Sequence, residues 1–294
     1  MRKRTAFIGA ILSLIPLGQP LIIKIGVVLS NTGFLLSFPE KLYASDNSFY
    51  FNSAFDKGEK GDHYGAISDY TKAIEINPKD STAYYNRGWN KGQLKDYYGS
   101  ISDFTKAIEI NPKDSTAYYN RGISKGKLKD YYGAISDFTK AIEINPNYST
   151  AYYNRGNSKR KLKDHYGAIS DFTKAIEINP KNSTAYYNRG WNKGRLEDYY
   201  GAISDYTKAI EINPQYETAY YNRGLSKSKL KDYYGAISDY TKAIEINPNE
   251  KSAYKNRGID KENIGDLKGA CSDWRKTVVL SPRDLSSTWV KDQC

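Results

Sequence analysis

The sequence predicts an all-α chain, a solenoid of stacked helical hairpins behind an apolar leader. Three observations lead there. Proline returns every 34 residues, at Pro78, Pro112, Pro146, Pro180, Pro214, Pro248 and Pro282. Between prolines the apolar residues follow helical spacing. Residues 81–114 and 115–148 agree at 28 of 34 positions. Self-similarity at such a period marks a repeat architecture, in which each unit buries its apolar face only against its neighbours.

The leader, residues 1–44, is a different polymer from the rest. Met1-Arg2-Lys3-Arg4 precedes an apolar run from Ala6 to Ile15, and further apolar stretches follow Pro16 and Pro20. A basic start, an apolar run and Leu42-Tyr43-Ala44 read as a secretory signal with a small residue at the cut. The competing reading is a retained anchor, with membrane association through residues 5–38. Pro16, Gln19, Pro20 and Lys24 interrupt the span that such an anchor would need. Both readings place the repeats outside the cytoplasm, in the periplasm or extracellular space or tethered to a membrane.

Seven units follow, at 47–80, 81–114, 115–148, 149–182, 183–216, 217–250 and 251–284. They leave 285–294 as a C-terminal cap, with Leu285 and Trp289 on one helical face, and no room for a catalytic domain. In the unit 81–114, Asp80 or Ser81 caps a first helix running to about Leu94. Asp96 caps a second helix, in which Tyr97, Ser100, Ile101, Phe104, Ala107 and Ile108 form an amphipathic stripe. Asn111-Pro112 ends it, because proline disfavours helix in the residue before it. Gly88 and Gly92 each cost the first helix about 0.8–1 kcal/mol relative to alanine. Such a helix persists only when clamped between neighbours.

The 34-residue hairpin with Tyr84, Gly88, Phe104, Ala107 and Pro112 resembles a tetratricopeptide repeat across residues 47–284. The resemblance implies a right-handed α-α superhelix of seven helix–turn–helix repeats with a C-terminal capping helix. The chain departs from the family pattern in its first helices, where Arg87 and Lys91 stand at positions usually held by leucine and an aromatic residue. Those cations have two readings, a ladder of ion pairs to Asp69, Asp103, Asp137 and their equivalents, or a basic rail for an acidic partner.

The resemblance also implies that first helices line a concave groove. Tyr85, Tyr119, Tyr153 and Tyr187 would then face it, with Asn86, Asn120, Asn154, Asn188 and Asn222 beside them. A side-chain amide both donates and accepts, so it can pair with the main chain of an extended peptide. A similar asparagine ladder lines the repeats of O-linked N-acetylglucosamine transferases. The alternative is that each asparagine bonds a neighbouring helix. Trp89, Ile123, Asn157, Trp191, Leu225 and Ile259 form a varying stripe, and Trp89 and Trp191 are the expected anchors, since buried aromatics dominate interface energetics. The carboxylate clamp of chaperone-binding relatives needs lysine where this chain has tyrosine, except at Lys255.

Composition excludes most chemistry. His63 and His165 are the only histidines; both fill the slot of Tyr97 and read as drifted core tyrosines, three repeats apart and unable to share a metal or a triad. The run from Gly122 to Leu128 lacks the hydroxyl residue and spacing of a phosphate loop. Cys271 and Cys294 are the only cysteines; Cys271 stands in the slot of the interior Ile101 and reads as a buried thiol, the redox state of the pair is open, and a disulfide between them requires an oxidising compartment. The leader carries +4 of the net +11, leaving interleaved charge unlike a nucleic-acid arm, and the period of 34 differs from that of RNA-reading 35-residue repeats. The expected function is a non-catalytic scaffold for a partner peptide or helix, with no cofactor, no metal and no nucleic acid. The alternatives are an acidic glycan or membrane surface bound through basic residues, or a structural spacer. Oligomeric state is not specified.

Overall fold

The computed structural model describes residues 40–281 together with 290 and 294, with side chains from residue 46 onward. The apolar segment 5–38 and most of the proposed cap, including Leu285 and Trp289, lie outside the described residues. Among those described, fourteen α-helices pair into seven hairpins and no strand occurs. The pairs are α1 (Glu40–Glu59) with α2 (His63–Ile76), α3 (Ser81–Gln93) with α4 (Tyr97–Ile110), and α5 (Ser115–Lys127) with α6 (Tyr131–Ile144). There follow α7 (Ser149–Lys161) with α8 (His165–Ile178), α9 (Ser183–Arg195) with α10 (Tyr199–Ile212), α11 (Glu217–Lys229) with α12 (Tyr233–Ile246), and α13 (Lys251–Asn263) with α14 (Leu267–Leu280). In units two to seven the first helix packs on the second, and from α2 to α12 each second helix packs on the first helix of the next unit. No described helix is long and apolar enough to cross a membrane. Helix α1 begins at Glu40, so residues 40–44, which the sequence reading places in the leader, continue into the first unit's helix.

The turn inside each unit is three residues long because one aspartate serves both helices. The Asp96 amide closes the end of α3 by donating to the Lys91 carbonyl (2.9 Å), while Lys95 N–H donates to Gly92. This is a Schellman end, which needs a residue in the left-handed region. Lys95, Lys129, Lys163, Glu197 and Lys231 occupy it at φ of 62–65°, and Gly61 and Gly265 do so in the outermost units. The Asp96 carboxylate then accepts from Gly99 N–H and starts α4. A Cβ on Gly99 would stand 2.1 Å from that carboxylate, which accounts for glycine at this slot in every unit.

Second helices carry most of the core. Ser100, Asp103, Phe104, Ala107 and Ile108 of α4 are buried, whereas Tyr97 and Ile101 of the expected stripe are only partly covered. Asp103, the interior acid, is absent from that stripe. Gly122 lets α5 approach the Phe138 ring, since a Cβ there would meet it at 2.8 Å.

Unit one departs from the others at its first helix, with Phe51, Ser53 and Ala54 in the slots of Tyr85, Arg87 and Gly88. At the opposite end, Cys271 of α14 forms a disulfide with Cys294. Arg275 donates to the Cys294 carbonyl at 3.0 Å. The last residue of the chain is thereby fixed to the last described helix.

Candidate functional site

The recurring cations of the first helices belong to the interior. Arg87 grips Asp103 with Nε (2.9 Å) and a terminal nitrogen (2.8 Å), and its other terminal nitrogen donates to the Thr71 hydroxyl of the preceding unit (3.0 Å). Lys91 adds a second cation at the oxygen that Arg87 Nε bonds, at 2.8 Å. The same trio recurs with Asp137, Asp171, Asp205, Asp239 and Asp273, at 2.6–2.9 Å. Each Arg guanidinium also lies over the tyrosine three residues before it, 5.5 Å away for Arg87 and Tyr84. A forked, nearly buried pair of this kind is geometrically demanding and orients the helices. The ion-pair reading therefore holds, and these residues form no basic rail. In unit one Lys57 and Ser53 hold Asp69 instead. Burial opposes ionisation there, but those two bonds keep the Asp69 carboxyl below its ordinary range.

The tyrosine and asparagine rows meet each other across unit junctions. Asn120 Nδ2 donates to the Tyr85 hydroxyl (2.9 Å), Asn154 to Tyr119, Asn188 to Tyr153, Asn222 to Tyr187 and Asn256 to Tyr221. For Asn120, Asn154 and Asn222 the second amide proton goes to the carbonyl four residues back. Those three amides have only Oδ1 left to offer a ligand. At the first junction Phe51 cannot supply the hydroxyl, and Asn86 lies within bonding reach of Tyr70. The tyrosine rings pack on second-helix aromatics, Tyr85 on Phe104 at 5.5 Å. Burial raises the Tyr85, Tyr119 and Tyr187 hydroxyls above the ordinary phenol range.

The two tryptophans come with an unanticipated companion set. His63 Nδ1 lies 2.8 Å from Asn90 Oδ1, and Asn90 Nδ2 donates to the Asn86 carbonyl at 2.8 Å. The amide's orientation is thus fixed, so Nδ1 carries the proton. His165, Asn192 and Asn188 repeat the arrangement at 2.9 and 2.7 Å. Each histidine ring abuts a tryptophan of the next unit, Trp89 at 5.8 Å and Trp191 at 5.9 Å. The histidines are not drifted tyrosines. His, Trp and Asn change together across a junction, and elsewhere the slot of Asn90 is serine or, in the outermost units, Asp56 and Asp260. Among the described residues no cluster of three or more potential metal ligands occurs.

The tryptophans differ in their covering. Trp89 is 37% exposed. Trp191 is partly buried, with the guanidiniums of Arg160 (5.3 Å) and Arg195 (5.9 Å) over its ring. The slot of Arg160 is glycine in four of the other units, including Gly58 opposite Trp89.

Between successive first helices the surface opens into clefts floored by second helices. One, of about 310 Å³, lies between units two and three, with Trp89, Gln93, Ile123 and Lys127 on its walls. Another, of about 420 Å³, follows between units three and four beside Lys127 and Lys161. A third, of about 490 Å³, lies between units five and six beside Trp191, Arg195, Leu225 and Lys229. Asn120, Asn154 and Asn222 reach these clefts, and Tyr119 lines the second.

Profiles of the tetratricopeptide repeat match residues 49–80, 81–114, 115–148, 149–182 and 218–250, and a further TPR repeat profile matches 195–231. The chain belongs to the tetratricopeptide repeat family. Among solved structures, it is similar to YrrB, described as a TPR protein with an unusual peptide-binding site. That match has 24% identity over 64% of this chain and 97% of YrrB, with a TM-score of 0.59. The C-terminal part of a TPR repeat-containing protein from Cytophaga hutchinsonii matches at TM-score 0.72 and 18% identity, over 82% of this chain and 98% of that one. A tetratricopeptide repeat protein from Parabacteroides merdae matches at TM-score 0.60 and 20% identity, over 84% and 98%. These likenesses show the fold. No curated protein matches the sequence.

Proposed function

We propose that this protein is a non-catalytic scaffold that grips an extended or helical segment of a partner protein on the face formed by its first helices. The observation that carries the reading is the row of clefts between those helices, with Trp89, Ile123, Trp191 and Leu225 on their walls. Those side chains sit at a slot that varies between otherwise near-identical units. An apolar surface of this sort marks an interaction site. YrrB, the similar protein described above, is itself a peptide binder.

Photo-crosslinking tests it. A benzophenone amino acid replaces Gln93 on the first-helix face or Ser102 on the exposed side of α4, in the native host. The expected result is a discrete adduct from Gln93 that is lost in a Trp89→Ala/Trp191→Ala variant of unchanged helicity. Equal adducts from both faces, or an adduct that survives the double substitution, would overturn the proposal.

The repeats are proposed to work outside the cytoplasm, either after removal of the leader or tethered by it. The Cys271–Cys294 disulfide supports that placement, because such bonds persist in oxidising compartments. The intact mass of the mature protein distinguishes the two forms: a chain beginning near Ser45 is the cleaved one. Mature protein found in the cytoplasm with reduced thiols would sink both.

A further inference from the structure

In the second helices and the interior of units two to six, the recurring cations have carboxylate partners. Arg87 and Lys91 share Asp103, and Lys106 pairs with Glu109, as do their equivalents. Five cations on the first helices do not. Lys127, Arg160, Lys161, Arg195 and Lys229 form no ion pair among the described residues. They occupy two adjacent slots, those of Gly92 and Gln93. Along the chain the second slot reads Glu59, Gln93, Lys127, Lys161, Arg195, Lys229 and Asn263, and the first adds Arg160 and ends at Glu262. The positive stretch therefore starts in unit three, stops in unit six and is bounded by an acid at each end.

Lys127, Lys161, Arg195 and Lys229 border the clefts between the first helices, and the acid beside them there is Glu197. Arg160 and Arg195 are held in place by the Trp191 ring. Arg160 Nε is buried without a hydrogen-bond partner, a donor awaiting an acceptor. Since the repeat supplies carboxylates to its other helical cations, an unpaired row confined to the variable face calls for negative charge from outside.

We infer that the first-helix face of units three to six is a docking track for an extended acidic segment of the partner, an inference that rests on the scaffold function proposed above. Neighbouring first helices touch through the Tyr–Asn rungs, which sets their axes roughly 8–10 Å apart. An extended chain advances about 3.3 Å per residue. The segment therefore carries a carboxylate at about every third residue, one for each unit.

Peptide binding by the full disulfide-bonded chain tests the assignment. The probes are fluorescein-labelled (Glu-Gly-Thr)5 and its (Gln-Gly-Thr)5 and (Lys-Gly-Thr)5 counterparts. The glutamate peptide is expected to bind about tenfold or more tightly than the glutamine one, and to weaken several-fold between about 50 and about 300 mM salt. The variant Lys127→Gln/Lys161→Gln/Arg195→Gln/Lys229→Gln loses about tenfold or more. A variant with equal charge change on the second helices, Lys106→Gln/Lys140→Gln/Lys174→Gln/Lys208→Gln, stays within about twofold. Indifference to glutamate, or equal loss in both variants, would overturn the acidic track. So would tighter, track-dependent binding of hyaluronan fragments or phosphatidylglycerol vesicles, which would give the face to a polysaccharide or a membrane. A Gln93 adduct that persists while the peptides bind alike keeps the scaffold function and removes the acidic segment.

Discussion

Units two and five began as the same sequence and present the same tryptophan, yet the two sites are built differently. Both have the His–Asn pair of the junction behind them. Trp89 stands opposite Gly58, with His63 at a steep angle beside it and 37% of its surface exposed. Trp191 is roofed by Arg160 and Arg195. The shared part of each unit fixes where the indole sits, and two neighbours, Arg160 one unit earlier and Arg195 in the slot of Gln93, decide whether it is an open apolar platform or the centre of a cationic patch. Position in the repeat therefore does not determine what a groove residue does.

The largest test of that difference is truncation. Trp191→Ala removes a ring packed between two guanidiniums and is expected to cost about 3 kcal/mol, against about 1–2 for the more exposed Trp89→Ala. Chemical denaturation of each variant measures it, and equal losses would erase the distinction. Asn90→Ala and Asn192→Ala should instead cost the same, about 2 kcal/mol each, because each strips a nearly buried amide from a histidine and a backbone carbonyl. Unequal values would show that the two junctions are not equivalent beneath the surface.

The same slot in unit seven offers a contrast. Asp260 is buried and accepts from Ser228 at 2.8 Å, but its other oxygen has no partner. Burial pushes its carboxyl above the ordinary value of 3.8, against the lowering effect of the Ser228 hydroxyl. The folded state then holds the proton more tightly than the unfolded one. Stability of the last junction falls as pH rises above about 4, through the interval between the two values. Asp260→Asn, the residue already used at Asn90 and Asn192, should abolish that slope and gain about 1 kcal/mol at neutral pH. Hydrogen exchange in α13 and α14 across pH reads both effects. The smallest effect is Arg160→Gly, which gives Trp191 the neighbour that Trp89 has. It should cost about 0.5–1 kcal/mol and raise acrylamide quenching of tryptophan fluorescence.

Much of this architecture is legible in the residues themselves. Fixed prolines, the Asp96 cap and the acid supplied for each Arg87–Lys91 pair are local or one-unit relations, and a period of 34 exposes them directly. The tyrosine and asparagine rows were also visible, but not that they bond each other. The bond joins residues 35 apart, and aligning units compares each slot with itself and never with a different slot next door. The His63–Asn90 pairing hid for the same reason, although His, Trp and Asn visibly change together. The roofing of Trp191 depends on Arg160 and Arg195, whose direction of reach no periodicity encodes.

The uneven ends of the stack give the molecule a polarity in how it comes apart. At the first junction Phe51 leaves the Tyr–Asn rung unmade, so that Arg87 on Thr71 bridges it without that second bond, whereas Cys294 is covalently tied at the other end. A melting front should enter beside the leader and run toward the cross-link. Tension transmitted through a tethered N-terminus would then peel the stack one hairpin at a time, releasing a bound segment from its unit-three end first.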